Sequence, residues 1–250
     1  MATPGEPRRR VLVVVPAWNE ELSVSKVIME IRERQPRADV LVVDDGSGDS
    51  TSAAAREAGA LVCRLPFNLG VGGAMRAGYR YALRNEYDVV VQVDADGQHD
   101  PDYIEALLDG LTDADIVIGA RFAGVGEYPV RGPRRWGMRL LARVLSSLSG
   151  ERLNDVTSGF RAANRRAIRV FAAHYPAEYL GDTVESLVIA MRTGCRVTQV
   201  PVEMRGRVGG RASQSPLRAS LYLMRAIVAL SLALVRRWPT TLETPPQEVA

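Results

Sequence analysis

Short aliphatic runs alternate along the first half of the chain with longer segments in which apolar residues recur every three or four positions. The runs are typical of buried strands and the spaced segments of helices that bury one face. The predicted strands are VLVVVP, DVLVVD, LVCRLP, DVVVQV and ADIVIGAR. The predicted helices are NEELSVSKVIMEIRERQ, SAAAREAGA, AMRAGYRYALRN and PDYIEALLDGL. This alternation predicts an α/β fold whose central sheet is mainly parallel and is covered by helices on both faces.

The pattern changes after Arg121. Residues 131–150 have helical spacing, and DVTSGFRAANRRAIRVF is interpreted as a turn followed by a helix. A further helix is predicted in DTVESLVIAMRTG and a strand in CRVTQVPVEMR, before a last apolar stretch over residues 216–238.

Acidic and polar residues follow three of the predicted strands. They occupy Pro16–Glu20, Asp44–Asp49 and Asp94–Gln98. Ligands of open parallel sheets bind beyond the carboxyl ends of the strands. We therefore expect these three segments to face one crevice.

Asp94 and Asp96 are two positions apart, so in extended chain their carboxylates point the same way. A hard divalent cation, with a phosphate completing its coordination shell, would neutralise them. The alternative is a solvated acidic turn. A calcium-binding EF-hand is excluded, because His99 occupies the position that requires glycine and a strand precedes the loop.

In the acidic turn after the second strand, the Asp45 carboxylate could accept a hydrogen bond from a nucleobase N–H. The glycines of NLGVGGAMRAG miss the G-x-G-x-x-G spacing, since Met75 stands where the third glycine belongs. We interpret that stretch as a glycine-rich turn and predict no nicotinamide site. His99 and His174 are expected to be structural.

Charge is distributed unevenly along the chain. Residues 1–115 carry 12 basic and 20 acidic residues, whereas residues 116–238 carry 20 basic and 7 acidic, so the two parts have net charges of −8 and +13. The first part is suited to cations and the second to anions. All basic residues except Lys26 are arginine, whose planar fork suits phosphate. The basic residues are not interleaved with aromatic ones, so nucleic-acid binding is not expected.

Six motifs occur in a familiar order: VPAWNEE, VVDDGSGDST, NLGVGGAMRAG, VQVDADGQHDP, GAR and DVTSGFRA. Together they resemble family 2 glycosyltransferases of the GT-A fold, and among these the dolichyl- or polyprenyl-phosphate mannose synthase branch. The resemblance covers Val11 to Arg166 and extends more weakly toward Ser213.

The resemblance implies a site for a nucleotide diphosphate sugar. Asp96 and Gln98 would ligate Mg²⁺ or Mn²⁺, and Asp94 would contact the nucleotide or its metal. The family usually has Tyr where Trp18 stands, so base stacking survives while a hydroxyl contact is lost. The residues implied to line the nucleotide pocket are Pro16, Trp18, Glu20 and Asp45.

On the acceptor side, the resemblance implies that Arg121, Arg134 and Arg207 bind phosphate. Asp155 would orient these arginines or the sugar. The expected reaction is inverting transfer of a hexose from GDP-mannose or a UDP-hexose to polyprenyl phosphate. A hydroxyl acceptor is the alternative, with Asp182 or Glu185 as base, and a non-catalytic binding module is a third hypothesis.

The last apolar stretch carries Arg218, Arg225 and Arg236 on one stripe, a pattern typical of a helix that lies on an anionic membrane surface. Packing in the core or in a homo-oligomer contact would explain it equally well. We expect a peripheral enzyme at the cytoplasmic membrane face, with free thiols at Cys63 and Cys195. The predicted divisions are a flexible 1–10, a catalytic domain 11–215, the amphipathic helix 216–238 and a flexible tail 239–250.

Overall fold

A computed structural model describes residues 9–121, 133–176 and 182–206, with residues 133–140 and Asp182 described by their backbone alone. Arg207, the predicted helix 216–238 and the predicted tail 239–250 lie outside these ranges, as do residues 1–8. The strands, β1 to β7 in chain order, are Val11–Ala17, Asp39–Asp44, Leu61–Arg64, Val89–Gln92, Ile116–Ala120, Arg161–Asn164 and Val197–Pro201. The α-helices, α1 to α7, are Val24–Arg34, Thr51–Glu57, Gly70–Arg84, Ile104–Gly110, Pro133–Ser149, Arg165–His174 and Asp182–Arg192.

The seven described strands form one sheet in the order β3-β2-β1-β4-β6-β5-β7. Every neighbouring pair is parallel except the two pairs that contain β6, which is antiparallel to both β4 and β5. The predicted mainly parallel sheet is therefore confirmed.

Strand β6 corrects the interpretation of residues 155–171 as a turn followed directly by a helix. Arg161–Asn164 pairs on both sides, so that Ala162 lies opposite both Val91 and Val117. Four residues with two alanines have no strand-like alternation of their own. Pairing with two neighbouring strands, and not local propensity, makes this segment extended.

Alternate residues of each strand bury against different helices, as the predicted two-sided sheet requires. Leu12 and Val14 pack in a core cluster with residues of α3, α5, α6 and α7. Val13 and Val15 pack in a second cluster with residues of α1, α2 and α4. All four side chains are fully buried, which explains the continuous apolar run of β1.

Helix α3 begins at Gly70, four residues before the predicted start, so the glycine-rich stretch is the first turn of a helix and not a separate turn. Glycine is unfavourable inside helices, and propensity therefore misleads here. The glycines instead permit close packing. A Cβ on Gly78 would lie 2.6 Å from Cγ1 of Val14 on β1.

Helix α1 begins at Val24, later than the predicted start at Asn19. Asn19 has a left-handed backbone with φ +54°, which is incompatible with the first turn of a right-handed helix. Glu20 and Glu21 therefore belong to the loop at the carboxyl end of β1 and not to the helix.

The strand predicted over residues 195–205 is shorter than expected, since β7 ends at Pro201. Beyond it, Met204 forms an isolated antiparallel bridge with His99. The chain after β7 thus leaves its own sheet neighbour and joins the loop that follows β4.

Candidate active site

Three acidic segments lie together at one edge of the sheet. Strands β2, β1 and β4 are adjacent and parallel, with Ala17 opposite Asp44 and Val14 opposite Gln92. Their carboxyl ends therefore point the same way. The prediction that the segments after these strands face one crevice agrees with this arrangement.

The loop after β1 and the turn after β2 are joined by hydrogen bonds. The Asn19 amide donates to Oγ of Ser47 at 2.9 Å, and the Gly48 amide donates to Oδ1 of Asn19 at 2.9 Å. The Glu20 amide donates to Oγ1 of Thr51 at 2.9 Å. These reciprocal contacts, made while Asn19 has its left-handed backbone, join the two segments into one wall of the crevice.

Asp44 and Asp45 both face the protein interior. Asp44 is fully buried, and its carboxylate accepts hydrogen bonds from the Ser47 amide, at 2.9 Å, and from the Ser52 hydroxyl. Asp44 therefore closes the turn after β2, and this structural role accounts for the presence of an acid at this position.

The Asp45 carboxylate accepts from the backbone amides of Leu69 and Gly70, at 2.7 and 2.8 Å, where α3 begins. Burial, together with the nearby charge of Asp44, raises the pKa of Asp45, although these two amide bonds counteract the rise. A carboxylate at a helix N-terminus satisfies amides that have no partner within the helix. Contact with a nucleobase stays a prediction for Asp45; its observed contacts stabilise the start of α3.

Trp18 presents an exposed aromatic face at this edge. It directly follows β1, and half of its surface is exposed. Pro16 is the second-to-last residue of β1 and is half-buried, while the Glu20 carboxylate accepts a hydrogen bond from Oγ of Ser23 at 2.6 Å. An indole in this position is available to stack on a planar ligand.

Asp94, at the carboxyl end of β4, is held by two side chains. Nε2 of Gln92 donates to its Oδ1 at 3.1 Å, and its own amide donates to Nδ1 of His99 at 3.0 Å. The other ring nitrogen, Nε2, lies 3.6 Å from Oδ2 of Asp94. The His99 ring is buried and stacks on Phe160, with centroids 4.9 Å apart. The expected structural role of His99 thus consists in orienting Asp94.

Asp96 and Gln98 lie in the same segment, residues 94–100, which we call the acidic loop. The Gln98 amide donates to Oδ1 of Asp96 at 3.0 Å, and Asp96 is 7% exposed. Across residues 9–121, 133–176 and 182–206, no three His, Cys, Asp or Glu side chains converge to hold a metal ion. Mg²⁺ is commonly bound through one or two carboxylates together with substrate phosphates. The oxygen donors of Asp94, Asp96 and Gln98 fit a cation that is shared with substrate.

The turn before β6 approaches the acidic loop closely. A Cβ on Gly159 would lie 3.0 Å from Nε2 of Gln92 and 3.3 Å from Oδ2 of Asp94. Any larger residue there would displace the Asp94 carboxylate or its partner. Gly159 therefore lets the end of the DVTSGF turn pack against Gln92 and Asp94.

Asp155 and Arg121 form a bidentate ion pair at the end of β5. Nε of Arg121 donates to Oδ2 at 2.6 Å and Nη2 to Oδ1 at 3.0 Å, while the Arg121 amide donates to Oδ2 at 3.2 Å. Nη2 also contacts Oγ1 of Thr157 at 2.9 Å. Burial alone would raise the pKa of Asp155, but the hydrogen bonds and charge of Arg121 lower it below its ordinary value. Asp155 thus holds the Arg121 guanidinium in place, and its role toward the acceptor or the sugar stays a prediction.

The same turn is connected to α7 by a buried arginine. Arg161 is 4% exposed and donates to the carbonyl oxygens of Val156, at 3.0 Å, and Thr183, at 2.9 Å. The helix that carries Asp182 and Glu185 is thus attached to the site turn. The backbone of Arg134 lies in the first turn of α5, and the positions of the Arg134 and Asp182 side chains lie outside the described part of the structure.

Sequence reasoning did not identify Gln92, Gly159 or Arg161 as site residues. A polar residue inside the apolar run VVVQV was the one available signal, because a buried amide needs a polar partner. Gly159 lies against Gln92 and Asp94, and Arg161 reaches Thr183 on α7, so no local sequence pattern reveals these distant contacts.

The chain matches the model of Glycosyl transferase family 2 over residues 12–171. The chain belongs to glycosyltransferase family 2. The matched span includes the loops after β1, β2 and β4, the Arg121–Asp155 pair and Gly159. The family predicted from the six motifs is confirmed.

Several curated relatives resemble this family 2 glycosyltransferase over most of their length. Undecaprenyl-phosphate mannosyltransferase of Micrococcus luteus is 33% identical over 216 residues, covering 82% of this chain and 88% of that protein. Polyprenol monophosphomannose synthase of Mycolicibacterium smegmatis is 29% identical, covering 86% of each chain. Dolichyl-phosphate hexose transferase of Haloferax volcanii is 31% identical, covering 88% of this chain and 93% of that one.

Solved structures confirm the GT-A fold. Glucosyl-3-phosphoglycerate synthase from Mycobacterium tuberculosis, in complex with Mn²⁺, UDP and phosphoglyceric acid, superposes with a TM-score of 0.69 at 22% identity, covering 91% of this chain and 79% of that one. The same enzyme in complex with Mg²⁺ and UDP gives a TM-score of 0.69 at 24% identity, covering 90% and 79%. In the described part of this glycosyltransferase, no helix has the length and apolar character needed to cross a membrane.

Proposed function

We propose that this glycosyltransferase moves a hexose from a nucleotide diphosphate sugar to polyprenyl phosphate with inversion and with the help of Mg²⁺ or Mn²⁺. The proposal rests on one observation above all: Gly159 brings the turn of the Arg121–Asp155 pair within contact distance of Asp94. In this proposal, acidic groups suited to a cation and a basic group suited to a phosphate would face the same crevice. Three relatives are named for the transfer of mannose or hexose to lipid phosphates, and this supports the acceptor class.

The donor would bind at the wall formed by the loops after β1 and β2. Trp18 would stack on the base, and Pro16 and Glu20 would border it, with Asp45 supporting the wall through the start of α3. Both GDP-mannose and UDP-hexoses are compatible with an aromatic stacking surface.

The diphosphate of the donor would lie beside the acidic loop. Asp96 and Gln98 would hold the cation, and Asp94, oriented by Gln92 and His99, would contact the cation or the nucleotide. A bound divalent cation would act as a Lewis acid toward the negative charge that develops on the leaving diphosphate.

The acceptor phosphate would meet arginines. Arg121 is held in place by Asp155, while Arg134 and Arg207 are proposed from the family resemblance. A phosphate oxygen is already ionised at neutral pH, so it attacks without a strong general base. The net charge of +13 over residues 116–238 favours a peripheral position at an anionic membrane surface, for which we propose the cytoplasmic face.

Transfer from labelled GDP-mannose or UDP-hexoses to polyprenyl phosphate in detergent micelles, with Mn²⁺ or with excess chelator, tests the proposal. The decisive variant is Asp96→Asn, which keeps an acceptor oxygen for the Gln98 amide but removes the charge. Asp109→Asn, an exposed carboxylate on α4, is the matched control. We expect lipid-linked product only with metal, and at least about a 100-fold loss in Asp96→Asn alone. Undiminished transfer after exhaustive chelation, or in Asp96→Asn, would refute the metal-dependent mechanism.

The hydroxyl-acceptor alternative predicts a different set of sensitive residues. If Asp182→Asn and Glu185→Gln abolish turnover while Arg121→Ala leaves it unchanged, a base on α7 and not a phosphate-binding arginine serves the acceptor. Product analysis then identifies a glycoside of an alcohol instead of a lipid phosphate.

A further inference from the structure

The segment after β7 is attached to the acidic loop by its backbone. Met204 bridges to His99 in antiparallel fashion, and the Arg205 amide donates to the carbonyl oxygen of Gln98 at 3.0 Å. Inside the loop, the Gln98 amide is bonded to Asp96. The two polar groups of the Gln98 backbone are therefore fixed from opposite sides, one from within the loop and one from the segment after β7.

The Arg205 side chain adds a second attachment. Its Nη1 donates to Oε2 of Glu30 on α1 at 2.9 Å, and its Nη2 donates to Oδ1 of Asp100 at 2.7 Å. Glu30 and Asp100 are 175 and 105 residues away in sequence. The planar guanidinium of Arg205 thus joins helix α1, the end of the acidic loop and the segment after β7. The ammonium group of a lysine would not reproduce this two-armed geometry.

We propose that Arg205 is a positioning residue that holds the acidic loop in the conformation that binds the cation. The inference rests on the proposed function in so far as the loop binds a divalent ion there. Bonds within the loop fix Asp94 to His99 and Asp96 to Gln98, but they do not attach the loop to its surroundings at Asp100. Arg205 supplies that attachment, so its loss leaves the ligand oxygens less preorganised.

Electrostatics alone makes the opposite prediction. Removal of a positive charge beside an acidic loop strengthens cation binding, because one repulsive partner of the cation is lost. Arg205 is already paired with two carboxylates, and its side chain is 38% exposed, so its net field at the loop is weak. The positioning effect therefore dominates, and substitution should weaken metal binding.

Mn²⁺ binding measured by electron paramagnetic resonance, with and without UDP or GDP, tests this inference on the full chain. We expect Arg205→Ala to weaken Mn²⁺ binding about 10-fold, at the low end of what lost supporting contacts cost a metal site. Arg205→Lys, which keeps the charge but not the fork, should weaken it by a smaller factor. Arg34→Ala is the matched control, since Arg34 also joins α1 to this region through Asp102, at 3.0 Å, without touching the acidic loop.

Hydrogen exchange of the metal-free protein is the second measurement. Amides of residues 94–100 should exchange several-fold faster in Arg205→Ala than in wild type or Arg34→Ala, because opening of the loop becomes easier. In transfer assays, the loss of activity should be restored by saturating Mn²⁺, which separates positioning from a direct role in the reaction.

Three results would overturn the inference: tighter Mn²⁺ binding in Arg205→Ala, unchanged binding in both Arg205 variants, or equal effects of Arg205→Ala and Arg34→Ala. If wild-type protein binds no Mn²⁺ under any condition, the metal part of the proposed function fails. Unchanged hydrogen exchange of the acidic loop would in that case still refute the attachment by Arg205, so the two failures are distinguishable.

Discussion

The Arg121–Asp155 pair should make the largest electrostatic contribution to stability among the described residues of the candidate active site. The Asp155 side chain is fully buried, whereas 20% of the Arg121 side chain is exposed. Arg121→Ala would leave a buried carboxylate without its cation, and removal of one partner of such a pair costs about 3–5 kcal/mol of unfolding free energy. Asp155→Ala should cost less, about 2–3 kcal/mol, because the partly exposed guanidinium can turn toward water.

The unfolding free energies of Arg121→Ala and Asp155→Ala should depend on pH in different ways. In the wild type, the pKa of Asp155 is lowered from its ordinary value of 3.8, so the pair stabilises fully above that value and its contribution is lost as pH falls below it. In Arg121→Ala, burial remains while the side-chain hydrogen bonds and the charge of the guanidinium are gone, and only the contacts from the residue 121 amide and Thr157 still counteract it, so the pKa of Asp155 rises. Protonation then removes the cost of the buried charge, so the loss of stability in Arg121→Ala should become smaller as pH falls from neutral toward 3.8. The loss of stability in Asp155→Ala should stay constant while pH remains above 3.8.

Urea unfolding followed by circular dichroism measures these free energies for the two single variants and the double variant. The double-mutant cycle should give a coupling energy of about 2 kcal/mol or more, while Arg34→Ala, which breaks an exposed pair, should change stability by less than about 1 kcal/mol. A coupling energy near zero, or a deficit of Arg121→Ala that does not change with pH, would refute the reasoning.

Three further outcomes are expected. Trp18→Ala should weaken donor binding at least about 10-fold, because the stacking surface is lost, whereas Trp18→Phe should largely preserve it. Nucleotide titration measures both affinities, and equal affinities of Trp18→Ala and wild type would exclude stacking. Gly78→Ala should destabilise the fold by about 1–3 kcal/mol, since its added methyl would lie 2.6 Å from a side-chain carbon of β1. Gly48→Ala, which has open space around it, should not, and thermal unfolding of the two variants tests this difference. His99→Ala should lower both the melting temperature and the transfer activity, because it leaves a buried cavity and removes the acceptor of the Asp94 amide. Wild-type activity of this variant would show that Asp94 does not need His99 for its orientation.

Much of the fold followed from local patterns. The valine-rich runs of β1, β2 and β4 are apolar on both faces, and their alternation with helical spacing predicts the parallel order that the sheet shows. Strand β6 could not be predicted, because the four residues Arg161–Asn164 are extended only through pairing with β4 and β5. The early start of α3 was hidden for a similar reason: Asp45, more than twenty residues upstream, binds the amides at its first turn.

The sequence by itself determined which carboxylates follow the strands and at which edge of the sheet they lie. Carboxylates that follow successive parallel strands must share an edge, so Asp45, Asp94 and Asp96 could be placed together from their positions in the chain. Only the tertiary structure decided which of them face inward and what orients them. The role of Arg205 depends on Glu30 and Asp100, which are 175 and 105 residues away in the chain, and no local sequence pattern encodes such contacts.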